Sequence, residues 1–133
     1  MANSESNGGL FYLNGMKRGM YMCWNIVTQC WNDVHVVIKD DKTTYVDVTK
    51  PFMHSGDVYK LSQDGAIIQG DNLIIEISSS KSKIYSHSSN SGMIYDNQGN
   101  MIGCETNICL EDNDGSEDFN DVYINFVAWN TKG

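Results

Sequence analysis

Three features of the sequence predict an all-β chain, an antiparallel β-sandwich of about nine short strands. Short runs rich in β-branched and aromatic residues recur along it, turn residues separate them about every eight to twelve positions, and no window keeps a 3.6-residue period.

Residues 1–8 read as a polar tail and 9–133 as a single domain. GGLFYL is a first short strand, stopped by the turn pair Asn14-Gly15. From Gly19, GMYMCWNIV alternates large apolar with smaller residues and forms a second. Gln29 to Asp33 turns it into VHVVIK, and Asp40-Asp41-Lys42 turns that into TTYVDV. The only proline, Pro51, falls in the next connection, where a missing N–H does least harm. Beyond it, Ser55-Gly56-Asp57 precedes VYKL, Asp64-Gly65 turns the chain into AIIQ, and Gly70-Asp71-Asn72 leads into LIIEIS. The Ser-rich SSSKSKIYSHSSNSG, with a short core at Ile84-Tyr85, reads as a flexible surface connection. GMIYD and NMIGCETNICL then pair as a hairpin around Asn97-Gln98-Gly99. In the last strand, VYINFVAW, both faces carry apolar residues, so it is central or covered by a second subunit.

Composition bounds the function. A net charge of −8, with only nine scattered Lys and Arg, argues against nucleic acid. No segment approaches the ~18 apolar residues of a membrane span, which argues against membrane insertion. MANSESNGG lacks the basic-then-apolar pattern of a secretory signal. The expectation is a cytoplasmic chain, one whose leader has been removed, or one exported without an evident signal peptide to act at the cell surface or outside. Cys23, Cys30, Cys104 and Cys109 form two local pairs with six and four residues between members, neither of them CxxC, and read as free, partly buried thiols.

The richest stretch for chemistry is Glu111 to Asp121, EDNDGSEDFND, which feeds straight into VYINFVAW. Six of its eleven residues are carboxylates, two are asparagines, and no Lys or Arg interrupts it. Two like charges ~4 Å apart cost roughly 1 kcal/mol in water and more where water is excluded. A run of this kind beside a buried strand needs a counter-charge, and a hard divalent cation suits it, because Ca2+ takes about six to eight oxygen ligands from Asp, Glu, Asn and carbonyls. Gly115 falls too early for an EF-hand, and no helix signal flanks the loop. A glycosidase would need a second isolated acid facing the first, and the sequence offers none to choose. His35, His54 and His87 lie in separate segments without ligand spacing, and no GxSxG accompanies the many serines. Trp24 and Trp31 read as core or interface residues rather than sugar-stacking rings.

EDNDGSEDFND, VYINFVAW and the closing NTKG together resemble the signature of the small bacterial fucose- and mannose-binding lectins of the LecB type: an acidic loop ending in aromatic-Asn-Asp, an apolar strand with a Trp, and a C-terminal Gly. GLFYL is similar to that family's first strand, and Gly19 to Asn25 to a segment ending in a calcium-contacting asparagine. The resemblance implies two calcium ions, with Glu111, Asp118, Asn120 and Asp121 as ligands and Asp118 and Asp121 bridging. Asn25 would contribute from a facing loop, and the Gly133 carboxylate would reach a neighbouring subunit's ion. Between Glu111 and Asp118 the ligand is Asp114 by chemistry or Ser116 by spacing, because this loop is one residue longer than the family's form; the tail after Asp121 is two residues longer. Asp112 would hydrogen-bond the sugar, and Ile26, Val27 and Thr28 occupy the loop that chooses among sugars. The function implied is calcium-dependent, non-enzymatic binding of fucose- or mannose-like units of glycans by a homodimer or higher homo-oligomer. The alternative is a structural or adhesive β module in which calcium only stabilises the loop.

Overall fold

A computed structural model describes residues 8–30, 32–52, 58–80, 84–112 and 122–132, the side chains of 8, 84–87 and 112 excepted. Nine strands build two antiparallel sheets. The four-stranded sheet runs in the order β1 (Gly8–Tyr12), β6 (Ile74–Ser78), β3 (Val34–Lys39) and β4 (Thr44–Lys50). The five-stranded sheet runs β5 (Tyr59–Ile67), β2 (Tyr21–Thr28), β9 (Val122–Trp129), β8 (Met101–Asp112) and β7 (Ile84–Tyr95). The predicted sandwich is therefore the fold, and among the described residues no helix is long and apolar enough to cross a membrane.

Period-two alternation explains the packing. On β2 the residues Met22, Trp24, Ile26 and Thr28 turn inward, and on β9 so do Val122, Ile124, Phe126 and Ala128. They meet Val34, Val36, Ile38, Ile75 and Ile77 of the other sheet, all at most 1% exposed. Burying each such side chain contributes roughly 1.5–3 kcal/mol. Trp24 lies in this core, as expected, with its Nε1 donating to Ser62 Oγ at 2.9 Å. All four cysteines are free thiols, Cys30 and Cys104 being buried.

Two expected connections are strands. The Asp64-Gly65 pair does not turn the chain; β5 runs through it, because a side chain at Gly65 would meet Tyr21 Oη at 2.7 Å, and its absence lets the tyrosine lie across the strand. The Ser-rich stretch contains β7, paired along its length with β8. As an edge strand it is held by its backbone ladder, so it needs no apolar pattern of its own. The hairpin around residues 97–99 forms as predicted, with Gly99 at φ +85° and Asp96 Oδ1 accepting the Gln98 and Asn100 N–H groups at 2.9 Å each.

At one end of the sandwich the β3–β4 turn is tied to the 68–72 connection through Asp40. Its carboxylate accepts N–H bonds from Lys42 and Thr43 at 2.8 Å and from Gly70 at 2.9 Å, and an O–H bond from Tyr45. A Cβ on Gly70 would sit 2.7 Å from Asp40 Oδ1, so only glycine allows this approach. Burial pushes the Asp40 carboxyl up, but the hydrogen bonds from Tyr45, Lys42, Thr43 and Gly70 outweigh it, and the group titrates below the ordinary carboxylate value. A carboxyl depressed in the fold stabilises it fully above the unfolded value of about 3.9, and that contribution is lost as pH falls through the lower folded value. Wild type should therefore exceed Asp40→Asn in urea midpoint at neutral pH, with the gap closing as pH falls through and below the ordinary carboxylate range. A gap independent of pH would contradict the tie.

Candidate functional site

The opposite end of the sandwich gathers the end of β2, the end of β8 and the start of β9. Thr28 and Leu110 both pair with Val122, so one rung joins the three strands immediately before the acidic run leaves β8 and after it enters β9. The strand continues into that run: Glu111 and Asp112 are the last residues of β8, paired with Ser86 and Ile84. Glu111 is 3% exposed. A carboxylate so buried requires partners to hold its charge.

Two further groups at this end were not legible in the sequence. The hydroxyl of Thr28 is buried without a hydrogen-bond partner among the described residues. Lys50, the last residue of β4, is 0% exposed, and its Nζ donates to the Asn32 carbonyl. It pairs in register with Val34, which follows directly on the connection from Thr28, so a buried ammonium stands at the same end as Glu111. Nearby, burial pushes the Asp33 carboxyl up, but bonds from the backbone and hydroxyl of Ser80 and from Ser79 hold it below its ordinary value.

The expected site residues fall into three groups. Glu111 and the backbone of Asp112 stand at the acidic end as anticipated. Asp114, Ser116, Asp118, Asn120, Asp121 and Gly133 lie outside the described residues. Asn25, Ile26, Val27 and Thr28 were expected on a loop and are strand residues of β2. Ile26 and Thr28 are 0% exposed and pack inward. Asn25 points outward in mid-sheet between Gln63 and Asn125, roughly 10 Å along β2 from Thr28 at ~3.3 Å per residue. The resemblance of Gly19 to Asn25 implied a loop at Asn25, whereas β2 runs three residues past it before the chain turns. Val27 shares the outer face with Asn25 and is half-buried.

Among the described residues no three His, Cys, Asp or Glu side chains converge as a metal cage would need. The donor set at the acidic end nonetheless fits a hard cation: a carboxylate at 3% exposure, an unpartnered buried hydroxyl, and a carboxylate-rich run leaving from the same rung. His35, by contrast, lies on the outer face of the four-stranded sheet with Nε2 at 2.7 Å from Asp47 Oδ1. A cleft of about 690 Å3 between Phe11–Met16 and β7–β8 holds none of the expected ligands.

Solved structures that share this fold include three bacterial lectins. The high-affinity mannose-binding lectin of Ralstonia solanacearum superposes with a TM-score of 0.62 at 16% identity, over 90% of this chain and 94% of that one. The C-terminal domain of the BC2L-C lectin of Burkholderia cenocepacia gives 0.59 at 16% identity, over 90% and 97%. The Chromobacterium violaceum lectin CV2L, solved with α-methyl-fucoside, gives 0.55 at 14% identity, over 90% and 94%. No family model and no curated protein sequence matches the chain. The resemblance drawn from the two ends of the sequence thus extends to the architecture of nearly the whole chain.

Proposed function

We propose that this protein is a non-enzymatic, calcium-dependent lectin for fucose- or mannose-like units of glycans. The observation that carries the reading is where the acidic run departs: between β8 and β9, beside buried Glu111, in a fold shared with three solved bacterial lectins. Glu111, Asp114 or Ser116, Asp118, Asn120 and Asp121 would hold the ions. Bound calcium supplies coordination positions at which two neighbouring pyranose hydroxyls replace water. The chain's own oxygens orient the ring: Asp112 accepts a remaining hydroxyl proton, and such a charge-assisted bond contributes about 1.5–3 kcal/mol. Asn25 and Ile26 take no part.

β9 carries the chain away from the acidic end. Its eight residues advance about 23 Å, whereas the four beyond Trp129 span at most ~14 Å. The Gly133 carboxylate could therefore complete only a neighbour's site, which ties this ligand role to a homodimer or larger homo-oligomer. Several sites per assembly also raise the avidity of a contact as small as one monosaccharide.

The second reading is a structural or adhesive β module in which calcium only stabilises the acidic loop. A glycan array probed in calcium and again with excess chelator separates the two. The lectin reading expects fucose- or mannose-terminated glycans to bind only with calcium; an empty array under both conditions contradicts it.

A further inference from the structure

The two sheets differ in width, five strands facing four. Along one side the sandwich is closed, with β4 lying against β5. Along the other, β7 has no described strand opposite it, and the gap beside β1 is the cleft of about 690 Å3. The cleft's floor is core: Leu13, Met16, Cys104 and Ile108 are each at most 7% exposed. Cys104 Sγ donates to the Gly15 carbonyl at 3.5 Å and so ties the β1–β2 connection to β8. Cross-strand partners share a face, so Ser89, Ser91 and Met93 of β7, paired with Ile108, Thr106 and Cys104, point the same way as that floor. They are nevertheless exposed, Met93 to 56%. Inward positions of a sandwich strand lie open here because no described strand covers them.

Backbone groups line the same gap. Leu13 N donates to Leu73 O at 2.9 Å, continuing the register in which Tyr12 pairs with Ile74. Antiparallel ladders alternate, so Phe11 and Gly9 also bond to β6, whereas the N–H and C=O of Leu10 and Tyr12 turn to the opposite edge, towards the cleft. Among the described residues no strand pairs with that edge. Nor is it guarded by charge. β1 is GGLFY and β7 is IYSHSSNSGMIY, without Lys, Arg, Asp or Glu, whereas β4 and β5 on the closed side carry both signs.

We propose that this cleft is a docking slot for an extended segment of another protein, neutral or basic and with apolar residues at alternate positions, which adds to β1 as a fifth strand. A strand takes about 3.3 Å of length, 4.8 Å of width and 10 Å of depth between sheets, roughly 160 Å3 per residue, so the cleft holds about four residues. Two open residues of β1, each facing two residues of an added strand, match that length. An extended backbone presents N–H and C=O groups at the repeat that Leu10 and Tyr12 leave open. Its alternate side chains would enter the gap onto Leu13, Met16 and Ile108, which selects apolar residues there. A chain of net charge −8 repels an acidic partner. The inference depends on neither calcium nor sugar, so it stands or falls apart from the lectin reading.

The test uses a random heptapeptide display library, depleted on immobilised Ser91→Trp, whose indole fills the gap, and then enriched on the wild-type chain. Peptides so recovered and synthesised free should bind wild type saturably and carry apolar residues at alternate positions. They should bind Leu10→Pro about tenfold or more weakly, the scale of one lost hydrogen bond. Proline at this position removes an N–H that β6 does not use, so the variant should still unfold cooperatively. Amide exchange followed by NMR locates the contact: the Leu10 and Tyr12 N–H groups should exchange fast in the free protein and about tenfold or more slowly with peptide bound. Three results each overturn the proposal: no peptide recovered, peptides that bind folded Leu10→Pro as they bind wild type, or Leu10 and Tyr12 amides already slow in the free protein. The last would mean that the chain itself or a second copy fills the gap.

Discussion

Asp121→Ala is expected to abolish calcium and sugar binding together. Substituting a residue that only supports a metal ligand typically costs 10–100-fold in affinity. Asp121 is proposed as a direct ligand, so its loss should weaken calcium by about 100-fold or more, past the reach of the residual ligands. The readout need not involve sugar. An ion at a hundred times its Kd stabilises a fold by roughly 2.7 kcal/mol, which for a chain of this size raises Tm by about 8–10 °C. Wild type should show that rise on adding calcium and Asp121→Ala should not. Asp112→Ala separates the two roles: it should keep the calcium-induced rise and lose the further shift from sugar. Calcium affinity unchanged in Asp121→Ala would show that the ligand assignment is wrong.

The second large effect concerns the strand that carries the site. Phe126 is 1% exposed and lies midway along β9, flanked in register by Trp24 of β2 and Thr106 of β8. Truncating a buried Phe to Ala removes its transfer free energy and leaves a cavity, about 3–5 kcal/mol in all. Against a total stability of ~5–15 kcal/mol this is about a fifth of the fold or more, and Tm should fall by about 10–20 °C. Urea midpoints at constant m-value would measure it. Saturating calcium should restore part of the loss, because β9 begins where the acidic run ends. A cost below about 1 kcal/mol, well short of that range, would mean that β9 is not the core strand described.

The parts of the fold legible in sequence are those where burial imposes a period. VYINFVAW, YMCWNIVT and VHVVIK alternate because one face of each is packed, and each is a strand. What escaped was held by other forces. β7 has no apolar pattern because its ladder with β8 suffices, and β5 passes through Asp64-Gly65 because Tyr21 fills the space that glycine leaves. Lys50 reads as a surface residue, yet it is wholly buried with its ammonium on the Asn32 carbonyl. The site was legible as chemistry rather than as placement. Six carboxylates in eleven residues mark a cation-seeking run whatever the fold, and in the structure the residues flanking the run, Leu110 and Val122, share one rung of the sheet. Asn25 illustrates the limit: the resemblance of a short segment implied a ligand on a facing loop, and register places it in mid-sheet between Gln63 and Asn125.

Calorimetric titration of methyl α-fucoside and methyl α-mannoside into the same protein, once loaded with calcium and once stripped by chelator, tests the central claim most directly. The account predicts saturable binding of at least one of the two to the loaded protein, at one sugar per chain, and none to the stripped form. Binding that persists without calcium, or the absence of binding by a loaded protein whose Tm has risen with the ion, would contradict it.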